Sequence, residues 1–432
     1  MFIHEAQNWT AFKWNQNRIS NLLEEVNRMT GYLSGRLSSI GFDNQMFATV
    51  EAVTSDIVSS SDIEGVKLDE VEVRSSVARK LGVKIEDHKE PTHYVDGVVE
   101  MMLDATQNFN LTLSEERLMG WHRALFPTGK SGSFPINAGK YREEGMEVVS
   151  GTFGRERIHY RAPSPDRIPG EMKTFLEWFE KNRENPTLLV SAIAHLWFVS
   201  VHPFDDGNGR IARAISDMAL SRADKNRFRY YSMSSQICAD KKEYYRVLEQ
   251  TQRGDGDITA WLEWYLNCMK RAIASSDSML SRVLNKSVFW KNHSSKMVSD
   301  RQRRILNIYL DRDNSKFTIK NWAKLAQVSK DTANRDIKDL ISKGILKPAS
   351  QGRIRDISYM INYVPENLQA GDFSNAAIEN IDGVSYISAV FRNTRPVKDR
   401  LSEMDILRYN QNETSLDDLV YKYFAYLTNP DF

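Results

Sequence analysis

Residues 188–213 read LLVSAIAHLWFVSVHPFDDGNGRIAR, and their order decides the fold class. From Leu188 to Val201 the run is apolar on every helical face, which predicts a helix buried in the middle of a domain and stopped by Pro203 just after His202. Gly207, Asn208 and Gly209 follow. These small or αL-tolerant residues let successive backbone N–H groups face one concavity, at the start of a second helix running through Arg210 to Leu220. Such a concavity suits phosphate oxygens. Asp206 stands at its rim, where a carboxylate can hold Mg²⁺, a cation that keeps most of its waters and takes only one or two protein oxygens. Arg210 and Arg213, three apart on the new helix, can both fork onto phosphate. His202 adds a proton acceptor that titrates near neutral pH, and Phe204 is read as a packing residue that pins the loop. One short segment thus contains the parts needed to handle a nucleoside triphosphate.

The segment His202 to Arg213 fits the pattern His-x-Phe-x-Asp/Glu-Gly-Asn-Gly-Arg-x-x-Arg and so resembles the signature of the Fic family. The resemblance implies a mainly α fold, a Fic-type helical core with a small β-hairpin flap. It implies members that transfer AMP from ATP to a Tyr, Thr or Ser hydroxyl of a target protein, releasing pyrophosphate. On that resemblance His202 is the general base, and Asp206 holds the Mg²⁺ that bridges the α- and β-phosphates. Gly207, Asn208 and Gly209 cradle phosphate, and Arg210 and Arg213 grip its outer groups. Family members also run the reaction in reverse or move UMP, phosphate or phosphocholine, and those activities stay open.

Upstream, Ser60-Ser-Asp-Ile-Glu64-Gly65 resembles the short inhibitory pattern Ser/Thr-x-x-x-Glu-Gly/Asn of Fic proteins. Physically it reads as the end of a helix near 45–65. Phe47, Val50, Val53, Ile57 and Val58 form its apolar stripe, Ser60 and Glu64 lie four apart on one face, and Gly65 can terminate it in αL. The resemblance implies that Glu64 pairs with Arg213 and steers ATP into an unreactive pose. The alternative is a solvated carboxylate at a helix end.

The β-prone runs Met146 to Val149 and Arg157 to Tyr160, around Gly151 and Gly154, predict a hairpin. Ala138-Gly-Lys-Tyr-Arg142 before it resembles the lead-in to the Fic flap, which implies that a target protein docks by strand addition on 146–160. A purely structural hairpin is the alternative, and His159 on it receives no role. Tyr244 and Tyr245, with Gln252 seven beyond, resemble positions lining the adenosine pocket, although relatives carry Asn at the last. An aromatic pair on an amphipathic helix fits a core equally well.

The chain has 432 residues, 41% hydrophobic, and a formal net charge of +1, enough for two or three domains and with no global bias toward nucleic acid. Its two cysteines, Cys238 and Cys268, have neither metal-ligand spacing nor the density of a secreted scaffold. The start lacks a basic-then-apolar pattern, and no apolar run reaches a bilayer span of about 20 residues, so a cytoplasmic protein without membrane contact is expected.

The domain reading begins with an N-terminal helical extension over 1–40, with Trp9 and Trp14 as packing anchors. A Fic catalytic domain over 41–290 follows, in which a capping box runs from Thr112 to Glu115 and a helix from Asp257 to about Arg282. Residues 300–364 predict a winged helix-turn-helix. Its parts are a helix at Gln302 to Leu310, Thr318 capping Ile319 to Ala326, a turn Gln327-Val-Ser329, a Ser329-capped helix to Lys343, and strands Ile345 to Lys347 and Ile354 to Ile361. Its second helix mixes Lys330, Arg335, Lys338 and Lys343 with Asp331, Asp336 and Asp339, which leaves DNA binding and a protein-docking or dimerising wing equally open. Residues 365–432 read as a polar linker and a helical tail, where Leu416 to Leu427 should dock on something such as another subunit of a homodimer. A DNA-binding regulator that uses the Fic domain as sensor is the alternative to an enzyme.

Overall fold

The computed structural model describes residues 2–38, 42–85, 88–150, 157–184, 187–227, 230–311, 316–349, 358–362, 373–381, 384–391, 395–401, 403–411 and 414–424. They form two compact units, Met1–Gly35 with Gln45–Ser276, and Arg36–Asn44 with Asp277–Phe432.

The first unit is mainly helical. A 3-10 turn at Ile3–Glu5 precedes α1 (Gln16–Ser38), α2 (Phe42–Ile63), α3 (Glu70–Leu81), α4 (His93–Gln107) and α5 (Glu115–Leu125). Two antiparallel hairpins follow, β1 (Lys130–Ser131) with β2 (Phe134–Pro135), and β3 (Glu147–Ser150) with β4 (Arg157–Arg161). The remaining helices are α6 (Ile168–Lys181), α7 (Leu188–Val201), α8 (Asn208–Asp224), α9 (Met233–Ala239), α10 (Lys241–Gln252) and α11 (Thr259–Asn292), the last longer than the sequence predicts.

The central helix is α7, packed between α6 and α8 and buried at every position except Leu189. Each large apolar side chain it withdraws from water stabilises the fold by about 1.5–3 kcal/mol, which is why a run with no polar face becomes the core. Trp197 on α7 sits among Trp9, Phe12, Phe175 and Trp178, with ring centroids 5.2–5.9 Å away. Trp9 is thus the expected anchor, whereas Trp14 is only half-buried and bonds Gln16. The cap before α5 is Ser114 rather than Thr112: the Leu113 amide is bound by Glu180, so the helix starts two residues later than expected and Ser114 Oγ accepts from the Arg117 amide.

In the second unit α12 (Asp300–Asp311), β5 (Lys316–Phe317), α13 (Ile319–Ala326), α14 (Lys330–Ser342), β6 (Leu346–Pro348) and β7 (Tyr359–Ile361) follow in order, the strands forming an antiparallel sheet ordered β5-β7-β6. Thr318 and Ser329 cap α13 and α14 as their sequence positions predict, and Gln327 turns between them at φ 54°. Ile305, Leu306, Trp322, Ile337, Leu340 and Ile361 form the core. Of the strand expected over Ile354 to Ile361, the first half, with the Gln351 to Arg353 tip, lies outside the described residues, and Tyr359–Ile361 form β7.

The helical tail needs correcting. Residues beyond the linker contain a three-stranded antiparallel sheet, β8 (Phe373–Ile381), β9 (Val384–Phe391) and β10 (Arg395–Arg400), before α15 (Glu403–Asn410) and α16 (Leu416–Phe424). The apolar positions of α16 need no second subunit, because Leu419, Val420, Tyr423 and Phe424 pack onto Ile387 and Ala389 of that sheet. Among the described residues no helix is long and apolar enough to cross a membrane.

Candidate active site

At the C-terminus of α7 the chain bends sharply at His202, which adopts φ 50° and ψ 60°. A β-carbon-bearing residue in that left-handed region stores strain, and the surroundings hold it there. The His202 amide still donates to Phe198 O at 2.9 Å, while its carbonyl accepts from Arg142 Nε at 2.8 Å. Its Nδ1 lies 3.2 Å from the carbonyl of Val199, an acceptor only, so Nδ1 carries the proton and Nε2 is left as a free base. Burial lowers the His202 pKa below the ordinary histidine value, which keeps the ring neutral.

The loop behind it is fixed by reciprocal bonds. Asn208 Oδ1 accepts from the Phe204 amide at 3.0 Å and Nδ2 returns to the Phe204 carbonyl at 2.8 Å. The Asn208 side chain, expected at phosphate, is therefore committed to shaping the loop, leaving its backbone at the first turn of α8. Phe204 is fully buried under His122, ring centroids 4.2 Å apart and nearly parallel. Gly207 adopts φ 81°, and a Cβ there would come within 2.9 Å of Phe126.

Three residues to which the sequence assigns no individual role hold this loop. His122 accepts the Gly139 amide on Nδ1 at 2.8 Å and donates from Nε2 to the Asp206 carbonyl at 3.1 Å. Burial pulls its pKa down to about 4. Arg142, also buried, donates to the carbonyls of His202, Glu144 and Pro163, tying the flap lead-in to the catalytic loop. Tyr94 accepts from Arg210 Nη1 at 2.7 Å. Arg142 lies within the quoted flap lead-in; nothing in the sequence singles out Tyr94 or His122.

The Asp206 carboxylate is partly exposed and is bonded by Ser131 Oγ and by the Gly207 amide, with Arg210 at 3.7 Å. Among the described residues no cluster of three or more His, Cys, Asp or Glu forms a metal cage. The accessible Asp206 carboxylate could supply the one protein oxygen that Mg²⁺, which retains its waters, takes from a protein. Arg210 is buried over the Phe126 ring at 5.0 Å and its Nε has no hydrogen-bond partner. Arg213 is buried too, with the Tyr244 side chain close to its guanidinium, and its Nη1 makes no well-directed hydrogen bond among the described residues. Two buried guanidinium groups with N–H capacity to spare fit an anionic ligand.

Glu64 is brought to this place by the end of α2, where Gly65 at φ 77° closes the turn. Arg213 donates to Glu64 Oε1 at 2.7 Å, to Ser60 Oγ at 2.8 Å and to the Ser60 carbonyl at 2.9 Å. Burial disfavours the Arg213 charge, but Glu64 together with Tyr244 and Tyr245 more than offsets it, so the Arg213 pKa is raised. A Cβ on Gly209 would overlap the Glu64 carboxylate, so that glycine lets the acid sit against the positive end of α8, where a phosphate would also be favoured.

The expected adenosine residues separate. Tyr244 is buried with its hydroxyl 3.1 Å from His195 Nε2, and buried Gln252 donates to Ser200 Oγ at 3.1 Å. Both are spent inside the core. Tyr245 is 40% exposed and keeps a surface, its pKa pushed up to about 12 by burial of the hydroxyl and by Glu64. The hairpin forms as expected, its 151–156 tip lying outside the described residues, with Val148 and Val149 of β3 exposed. Its other strand is anchored: Tyr160 donates to the Ser200 carbonyl at 2.7 Å, and His159 bonds Glu249 and Ser150, which gives that histidine a structural role.

A model of the Fic/DOC family matches residues 112–220, and one described as a domain of unknown function, DUF4172, matches residues 2–83. Residues 112–220 are a Fic/DOC domain. A uridine 5'-monophosphate transferase of Xanthomonas campestris is 31% identical to this chain over 145 residues, 32% of the chain and 26% of the relative. The protein adenylyltransferase Fic of Nematostella vectensis is 26% identical over 233 residues, 52% of the chain and 49% of the relative. The chain thus spans from about a quarter to half the length of these curated relatives. A Fic family protein from Desulfovibrio desulfuricans superposes with a TM-score of 0.46 at 19% identity, covering 82% of this chain and 97% of that one. The loop from His202 to Asn208, within the matched residues, is the one that His122, Arg142 and Asn208 fix.

Proposed function

We propose that this chain is an autoinhibited protein adenylyltransferase. The observation that carries the reading is the juxtaposition of a neutral His202, its Nε2 free, with an α8 N-terminus and two buried arginines, one of them occupied by Glu64. A target hydroxyl oxygen attacks the α-phosphorus of ATP, its proton passing to His202 Nε2 while the bond to the leaving pyrophosphate breaks. Arg210 and the backbone amides of Gly207 to Gly209 offset the charge that gathers on the leaving oxygens. Asp206 would hold Mg²⁺, which neutralises phosphate charge when bound. The exposed edge of β3 registers the target segment by backbone pairing. With Glu64 in place Arg213 cannot reach the outer phosphates, and the resting protein is nearly silent.

The relative named a uridine 5'-monophosphate transferase makes nucleotide choice part of the test. Wild type and Glu64→Gly are incubated with Mg²⁺ and equimolar ATP and UTP, and intact mass is recorded. An AMP adduct that accumulates faster in Glu64→Gly supports the reading. A UMP adduct reassigns the nucleotide, and equal rates in the two proteins remove the brake.

A further inference from the structure

The charges along α13 and α14 alternate in sequence, but the fold sorts them. Asp336 is buried, accepting from Arg301 Nε and Nη2 at 2.9 and 2.8 Å and from Trp322 Nε1 at 3.3 Å. Asp339 is paired with Lys343 at 2.6 Å and accepts from Gln302 at 2.9 Å. Asp336 is thereby drawn onto the inner side of the second helix, while Asp339 stays partly exposed with its charge taken up by Lys343. Lys320, Lys324, Lys330, Arg335 and Lys338 are all exposed, and none has an ion-pair partner among the described residues. Asp331 is the one exposed acid left on α14.

A helix advances 100° per residue, so Lys330, Asn334, Lys338, Asp331 and Arg335 fall within an arc of about 140°. Ala333, Asp336, Ile337 and Leu340 lie on the opposite, buried side. Helix α13, the Gln327 turn and α14 pack as a helix-turn-helix, and the antiparallel pair β6 and β7 follows α14 where a wing would begin. We propose that this face is a duplex-DNA site. Helix α14 enters the major groove, Asn334 and Arg335 meet base edges, and Lys320, Lys324, Lys330 and Lys338 meet phosphates. Base-edge chemistry favours this over an acidic protein: Arg335 can donate twice to guanine O6 and N7, and Asn334 can donate to adenine N7 while accepting from N6, whereas a carboxylate, having acceptors only, would leave the Asn334 oxygen unmatched.

The inference is independent of nucleotidyl transfer. The full chain is titrated into a fluorescent duplex of random sequence at two salt concentrations, with single-stranded DNA of equal length as control. Binding should prefer the duplex and weaken with a log-log salt slope of about −3 to −5. The double variant R335A/K338A, altered only at exposed positions, should bind at least about tenfold more weakly with a slope shallower by about 1, the loss of the one phosphate contact made by Lys338. After selection of a preferred sequence from a random pool, R335K should retain affinity for random duplex and lose the preference. No binding at low salt, equal affinity for single strands, or an unchanged R335A/K338A each overturns the proposal, and the first would turn the face over to a protein partner.

Discussion

Glu64 meets Arg213 across two helices of the first unit and neutralises it at the end of α8, whereas Asp336 and Asp339 of the second unit are taken up by Arg301, Trp322, Gln302 and Lys343. In one place an acid pairs with a cation that the proposed reaction needs. In the other, one acid is buried and one is paired with a lysine of its own helix, and five cations are left in water. Both regions read in sequence as mixed charge, so the count of acids and bases says little; which acid is paired with which cation decides the field each surface presents.

The contrast can be broken in several ways. The largest effect should come from His202→Ala in a Glu64→Gly background, which removes the proton acceptor and lowers transfer by about 10²–10⁴-fold with the fold intact by circular dichroism. Retained transfer would mean that another base serves the reaction. Next, Glu64→Gly alone should raise self-modification by roughly 5–150-fold, the range of an ordinary coupling energy, in a time course of adduct formation. A slower mutant would make Glu64 a supporting residue. Arg142→Met strips three carbonyls of their donor and should cost about 2–4 kcal/mol in urea denaturation, together with a loss of transfer as His202 loosens. Wild-type stability in that variant would show that the loop is held by other contacts.

Salt separates the two regions directly. With its guanidinium buried, the Arg213–Glu64 pair is screened less than an exposed cluster even though Glu64 itself is partly exposed, so rising salt should raise the wild-type basal rate far less than it weakens duplex binding. A basal rate that climbs as steeply as duplex binding falls would show that burial of Arg213 does not protect the pair.

The last effect is spread over pH. His122 is neutral when folded, with its pKa near 4 against about 6.5 unfolded, so it contributes stability in full above pH 6.5 and loses it as the pH falls toward 4. The full extent is about 3 kcal/mol. His122→Asn should therefore show a shallower fall in Tm over that window. Equal slopes would remove His122 from the acid sensitivity.

Much of the site was legible because its chemistry is local. The apolar run of α7, the glycines at 207 and 209, the four-residue spacing of Ser60 and Glu64, and the caps Thr318 and Ser329 each act within a turn or two of chain. What escaped depends on distant partners. His122 and Tyr94 matter only because α5 and α4 carry them to Asp206 and Arg210. The sheet β8 to β10 was hidden by weak strand patterning. A register shift accompanies Asn375 at φ 53° in β8, and Pro396 sits among charges on the edge strand β10, where it costs no ladder bond. The charge sorting on α14 could not be read either, since it turns on which face of that helix meets Arg301.

The most direct test is a crystal structure of Glu64→Gly with Mg²⁺ and a non-hydrolysable ATP analogue. The account predicts the outer phosphates on Arg213 and Arg210, with the α-phosphorus open to a hydroxyl that His202 Nε2 can deprotonate. Triphosphate bound away from the α8 N-terminus, or His202 turned from it, would contradict the account.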